Sequence, residues 1–229
     1  MPLRFDLHIH SSFSGDAHSS IGEIIRRAEE VRLDGIAITD HDGIKGAIAA
    51  ERYVEENDLD LIIIPGTEST TSRGHLILLG IRETVPKLLA PEKVIKMAEE
   101  LEALVIAPHP FHHFRHGIGE VDGLGVDAIE VFNSRYITKG PNERAMLYAQ
   151  EKGIPSVAGS DAHIADAVGF GVTEVEADCD IDSILKAIKD GRTGYSGRKT
   201  PPLTYINQIS NGFIRRVLRE RIGELNDKD

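Results

Sequence analysis

The stretch FDLHIHSSFSGD, Phe5 to Asp16, decides how the rest of the chain is read. It begins as an apolar strand, yet His8 and His10 stand two residues apart, and residues at i and i+2 of a strand share one face. A short Ser/Gly turn then leads to Asp16. Two imidazoles and a carboxylate so close together pose a question of partners, which the rest of the chain has to supply.

Working outward, short β-like runs alternate with helical ones. LRFDLHI at 3–9 reads as a strand, and Ser20 with Glu23 has capping-box spacing before the apolar face Ile21, Ile24, Ile25, Ala28 and Val31. DGIAITD at 34–40 is the next strand, followed by a helix near 43–57. DLIIIPG and HLILLG give strands around 60–66 and 75–80, separated by the polar turn TESTTSRG. Pro91 opens a helix that ends near Glu100, and ALVIAPHP at 103–110 is strand then loop. VDAIEVFN at 126–133 and IPSVAGSDAH at 154–163 repeat the theme around a helix near 141–151; GFGVTEV at 169–175 is a last strand before a helix near 180–190. This order predicts an α/β fold of parallel strands with covering helices in one domain.

Metal-capable residues recur where strands give way to loops. They are His8, His10, Asp16, His41 in ITDH, Glu68 in PGTE, His109 in APHP, Glu130 in IEVFN, and Asp161 with His163 in GSDAH. In a barrel, that end of each strand faces one common pocket. The mixture of imidazole and carboxylate without thiolate suits Zn²⁺, Mn²⁺ or Fe²⁺. The set exceeds the needs of one tetrahedral ion and suits two or three divalent ions sharing a carboxylate. His18 is an alternative to Asp16, and Asn133 stands close to Glu130.

HIH, SGDA, TDH, the Glu of PGTE, the His of APHP, the Glu of IEVFN and SDAH stand in the order found in the PHP (polymerase and histidinol phosphatase) superfamily, which the chain resembles from Phe5 to about Arg198. The resemblance implies a distorted (β/α)7 barrel, a trinuclear metal centre and hydrolysis of phosphate esters. It implies a first ion held by His8, His10, Glu68 and Asp161, and a second sharing Glu68 with His109 and Glu130. A third would be held by Asp16, His41 and His163. Asp16 and Glu130 stand where histidine occurs in some relatives; the added negative charge favours harder ions such as Mn²⁺ or Fe²⁺.

The expected activity is that of a metal-dependent phosphoric ester hydrolase. Its substrate would be a small phosphorylated metabolite, a nucleotide or 3′,5′-bisphosphonucleotide, cleaved by metal-activated water. Glu68, His75 and Arg135 are the expected catalytic residues. Arg73, His112, His113, His116, Lys139 and Arg198 are further cations that could meet phosphate, and Asp6, Thr39 and Ser160 are expected to orient ligands. The alternatives are a histidinol-phosphate phosphatase, a 5′–3′ exonuclease on short oligonucleotides, and a metal-stabilised interaction domain without catalysis. The short interval between Glu68 and His109 leaves no room for an inserted domain, and the chain is expected to be free-standing.

Composition bounds these readings. A net charge of −11, from 26 Lys and Arg against 37 Asp and Glu, works against a partner as long as a nucleic-acid duplex. It leaves an anionic small molecule open, because bound cations invert the potential of a pocket. The single cysteine, Cys179, excludes an internal disulfide framework and a Cys-rich zinc cluster. MPLRFDLHIH does not read as a signal peptide and no apolar run is long enough to span a bilayer, so the expected location is cytoplasmic, away from membranes. The PHP-type domain is expected over 1–198. Residues 199–229 would form an extension whose helix carries Ile206, Ile209, Phe213, Val217 and Leu218 on one face and Arg215, Arg216 and Arg219 on the other; it would pack on the domain or at an interface.

Overall fold

The computed structural model describes residues 1–112, 116–136 and 138–207. The chain runs β1 (Leu3–Ile9), α1 (Ile21–Glu30), β2 (Gly35–Ile38), α2 (Lys45–Glu56), β3 (Ile62–Thr70), β4 (His75–Leu79), α3 (Pro91–Glu100) and β5 (Leu104–Ala107). It continues with β6 (Ala128–Asn133), α4 (Gly140–Lys152), β7 (Ser156–Gly159), β8 (Gly171–Val175), α5 (Ile181–Lys189) and β9 (Thr193–Gly197). Among the described residues the strands form one sheet in the order β7-β6-β5-β4-β3-β2-β1-β8-β9, which curls into a distorted (β/α)7-type barrel.

Local chemistry sets the elements. Ser20 and Glu23 form the reciprocal capping box that starts α1, and Ile21, Ile24, Ile25 and Ala28 bury its apolar stripe. Pro91 stands in the first turn of α3, where its missing N–H costs nothing. Alternation along β4 turns Leu76 and Leu78 outward to α3, and Ile77 and Leu79 inward to the barrel core. Ile184, Ala187 and Ile188 of α5 join Phe5, Val157 and Val175 in that inner cluster and plug the end opposite the ligand-bearing loops.

The structure departs from an all-parallel plan. β4 is antiparallel to both β3 and β5, because only a tight turn joins it to β3 and no helix intervenes to carry the chain back. Thr71 fastens that turn: its N–H and Oγ1–H both donate to the Gly74 carbonyl, at 2.9 and 2.6 Å. β3 is also longer than its apolar run and carries Glu68 and Ser69 within the ladder. β8 is antiparallel to β1 and is not the last strand, since β9 pairs antiparallel with it. β9 (TGYSG) is mostly exposed and has no apolar alternation to betray it.

Closure leaves a seam. β7 and β8 share no backbone ladder, although β7 packs against β1, β8 and β9. The Thr173 hydroxyl bridges instead, accepting from the Ala158 N–H at 2.9 Å and donating to the Ala158 carbonyl at 2.8 Å. Thr193 Oγ1 donates to the Ser156 carbonyl, and Asp6 Oδ1 accepts from the Ser160 N–H, both at 2.9 Å. A Cβ on Gly171 would stand 2.2 Å from the Gly159 carbonyl oxygen, so the two strands approach this closely only because Gly171 has no side chain. No helix among the described residues is long and apolar enough to cross a membrane.

Residues 202–207 are helical, and Ile206 there is exposed; Ile209, Phe213, Val217, Leu218 and the arginines expected on that helix lie outside the described residues.

Candidate metal centre

The polar residues marked by the sequence come to one end of the barrel. His8 is in β1 and His10 follows it, pinned by donation of its N–H to the Ala162 carbonyl at 2.8 Å. His41 follows β2 and forms a parallel bridge to Glu68 of β3. His75 opens β4, His109 follows β5, Glu130 lies within β6, and Asp161 and His163 follow β7. The turn carrying Asp16 is held by Ser14, whose hydroxyl donates to Asp16 Oδ1 at 2.7 Å. It is also held by Ser11, whose N–H and hydroxyl both donate to Asp40 at 2.7 Å. His109 and Asp161 adopt positive φ, 31° and 53°, a backbone state rare for side-chain-bearing residues and common at functional sites.

The ligand atoms fall into overlapping clusters. His8 Nε2 lies 3.1 Å from His10 Nε2, and Glu68 Oε2 is 3.5 Å from the first and 3.2 Å from the second. Asp161 Oδ1 completes this group at 3.8 and 3.7 Å from the same two nitrogens. The other oxygen of Glu68 meets His75 Nδ1 at 2.8 Å and His109 Nε2 at 3.0 Å. Asp16 Oδ2 meets His163 Nε2 at 2.9 Å and His41 Nε2 at 3.4 Å. Four sets of side chains, His10/Asp16/His41/His163, His8/His10/Glu68, His8/His109/Asp161 and His41/Glu68/His75, each bring their ligand atoms within 4.8 Å of one another. Several lone pairs aimed at one small, dry volume suit divalent cations, whose charge neutralises what the carboxylates would otherwise bury.

Glu130 is not in these clusters; it lies beside His8 and His109. Its Oε1 lies 3.0 Å from His8 Nδ1, and its Oε2 accepts from the His109 N–H at 2.8 Å and from Asn133 Nδ2 at 2.9 Å. Both oxygens are thus occupied behind the ligands. A carboxylate oxygen placed there suits the His8 tautomer with its proton on Nδ1, whose Nε2 is turned to the centre. His75 instead stands at the cluster, and the β3–β4 register explains this. His75 pairs with Thr70, two residues beyond Glu68, so its side chain falls on the same face. Chain separation alone hides this, but a hairpin read across TESTTSRG would have exposed it.

Asp6, Thr39 and Ser160 hold backbone, not imidazole rings. Asp6 accepts from the N–H groups of His8, Ser160 and Gly169; Thr39 Oγ1 bonds to the Ile9 backbone; Ser160 Oγ donates to the His8 carbonyl. Burial pushes the Asp6 carboxyl up to about 6 despite those bonds.

The field inside the cluster is uneven. Burial opposes charge on His8, but Glu130, Asp161 and Glu68 outweigh it and hold its pKa well above the usual imidazole value. His41 is pushed up to about 9 by Glu68 and Asp16 against the same burial. His163 is brought down to about 3 by burial with Arg135 and His10 nearby, and burial also lowers His10. Glu68 and Asp16 stay ionised: burial opposes this, but His41, His75 and His8 lower the first and His163 the second.

A pocket of about 230 Å³ opens over the cluster, with His116 and Arg135 in its wall. Arg135 reaches inward, its Nη1 2.8 Å from Asp161 Oδ1 and 3.0 Å from His163 Nε2. His116 packs against His75 with ring centres 5.2 Å apart, and its carbonyl accepts from the His75 N–H at 2.9 Å. Asn133 bridges Glu130 to Asp161 Oδ2. Other expected cations lie elsewhere. Arg73 faces Glu92 at 3.5 Å, and His112 stacks on Tyr136. Lys139 and Arg198 line a different cleft, His18 lines a surface pocket beside α1, and His113 is outside the described residues.

Fold and site together define an α/β barrel with an imidazole–carboxylate centre at the loop end of its strands. A family model described as PHP-associated matches residues 139–193. An uncharacterized protein of Methanocaldococcus jannaschii is 32% identical over 143 residues, 58% of this chain and 82% of its own length. A 5′–3′ exoribonuclease of Haemophilus influenzae is 34% identical over 110 residues, 46% of this chain but only 39% of that enzyme. Two crystal structures share the fold at 19% identity. One is a two-domain protein containing a predicted PHP-like metal-dependent phosphoesterase from Bacteroides vulgatus, with a TM-score of 0.69 over 86% of this chain and 65% of that one. The other is PsfC from Pseudomonas syringae, with a TM-score of 0.64 over 94% of this chain and 98% of that one. The chain is thus similar to PHP-type proteins in one matched segment and in fold.

Proposed function

We propose that this chain is a metal-dependent phosphoric ester hydrolase acting on a small phosphorylated metabolite, a nucleotide or 3′,5′-bisphosphonucleotide. The observation that carries this is Glu68, whose two oxygens join separate imidazole groups beside a pocket walled by Arg135. His8, His10, Glu68 and Asp161 would hold one ion, Glu68, His75 and His109 a second, and Asp16, His41 and His163 a third. Such ions, Mn²⁺, Fe²⁺ or Zn²⁺, supply Lewis acidity and lower the pKa of water towards neutrality.

The remaining work falls to the chain. Arg135 presents its guanidinium where a phosphate would enter and neutralises charge on its oxygens. Glu130 keeps His8 in the tautomer that leaves Nε2 open. His116 lines the pocket wall, where it would stand near a leaving group. The small pocket and the acidic exterior both favour a compact ester over long nucleic acid.

A second reading, a 5′–3′ exonuclease on short oligonucleotides, is favoured by the name of the Haemophilus relative. The test is a phosphate- and nucleotide-release screen of Mn²⁺-, Zn²⁺- and anaerobically Fe²⁺-loaded protein. The panel holds nucleotides, bisphosphonucleotides, histidinol phosphate and short oligonucleotides. Glu68→Gln should lower the rate on the best substrate by roughly 100-fold or more and reduce bound metal. Near-normal turnover in Glu68→Gln protein would sink its proposed role, and inactivity on the whole panel would favour a non-catalytic domain.

A further inference from the structure

Away from the metal centre, α4 and β9 enclose a cleft of about 330 Å³ against β6, larger than the pocket over the metal cluster. Its floor is apolar: Val131 and Phe132 from β6, Met146 from α4 and Tyr195 from β9. Gly197 lies flat against Phe132, since a Cβ there would stand 2.3 Å from the ring. Tyr195 is 39% exposed, an aromatic face left showing in a chain that has no Trp and only 5% aromatic residues.

The walls carry the opposite of the protein's overall charge. Lys139, Arg198 and Lys199 line the cleft against one carboxylate, Glu143, in a chain with a net charge of −11. Arg198 is fixed there by stacking its guanidinium 4.2 Å over the Phe170 ring. An apolar aromatic floor under a cationic rim matches a molecule with a flat ring at one end and an anion at the other.

The cleft also touches the framework of the metal centre. Asn142 lines it, accepting from the Asn133 N–H and donating to the Asn133 carbonyl, both at 3.1 Å; the Asn133 side chain bonds to Glu130 and Asp161.

We propose that this cleft is a second ligand site that takes a nucleotide-class molecule, its base on Tyr195 and Met146 and its phosphate against Lys139, Arg198 and Lys199. The inference rests on the cleft's own chemistry and does not need the hydrolytic reading. The test is calorimetric titration of the full, manganese-loaded chain with the non-hydrolysable methylene phosphonate analogue of adenosine 5′-monophosphate. Adenosine and inorganic phosphate serve as parallel probes.

The parent should bind an equivalent of the analogue that Tyr195→Ala and Met146→Glu each lose or bind at least ~10-fold more weakly. Adenosine alone should bind the cleft far more weakly than the analogue. Both side chains are at least partly exposed, and unchanged melting and metal content would show the variants folded. Identical titrations of parent and both variants would overturn the proposal, as would adenosine binding as tightly as the analogue. Hydrolysis without the variant-sensitive equivalent would overturn the cleft site and spare the proposed activity. The equivalent without any hydrolysis would do the reverse.

Discussion

Glu130 accepts on both oxygens, from His8, His109 and Asn133, and so serves the centre by aiming other groups. A carboxylate in that position and one that binds an ion directly should fail differently when changed. Glu130→Gln should weaken metal affinity by about 10–100-fold while leaving stoichiometry intact at saturating metal. His75→Ala should lose bound metal even at saturation, as measured by elemental analysis of dialysed protein. The reverse pattern would exchange the two roles. At this scale the sequence told residue type and inward direction: Ile129 and Val131 flank Glu130 in IEVFN and pack into the outer core. Whether a carboxylate stops at an imidazole or reaches past it is a matter of ångströms, set by strand curvature that alternation does not record.

The elements were legible where apolar periodicity was strong, as in α1, β4 and α3, and illegible where pairing partners set the geometry. β9 is held by its ladder with β8, and the reversal of β4 follows from a turn in which Thr71 does the fastening. The seam is the sharpest case, because a single hydroxyl replaces ladder bonds between β7 and β8. Thr173→Val keeps the shape but leaves the Ala158 N–H and carbonyl unpaired in a buried position. The expected cost is about 2–4 kcal/mol in chemical denaturation, with metal stoichiometry unchanged. An unaltered denaturation midpoint would mean that the seam is held elsewhere.

For the molecule as a whole, the uneven field around the cluster links protons, metal and stability. His41, raised to about 9 from the usual 6.5, stabilises the metal-free fold fully below pH 6.5 and loses that contribution as pH rises through 9. His8 is shifted in the same direction. Divalent ions need those lone pairs, so uptake at pH 7 should release roughly two protons, and affinity should climb between pH 6 and 9. Calorimetry in buffers of different ionisation enthalpy measures the release; uptake without protons would contradict the field described above. The resemblance was readable because the metal-capable residues come in order along the chain, but the antiparallel strands and the seam were not. That seam has a consequence for assembly. Beside it, the backbone at the end of β1 that carries His8 and His10 is joined to the segment after β7 that carries Asp161 only by the short Ile9–Ala162 bridge, so an ion shared by those three side chains would rivet the barrel where its backbone stitching is thinnest. Loading the centre and locking the fold would then be one event, with a freshly made, metal-poor chain exposed first along β7 to proteases and solvent exchange.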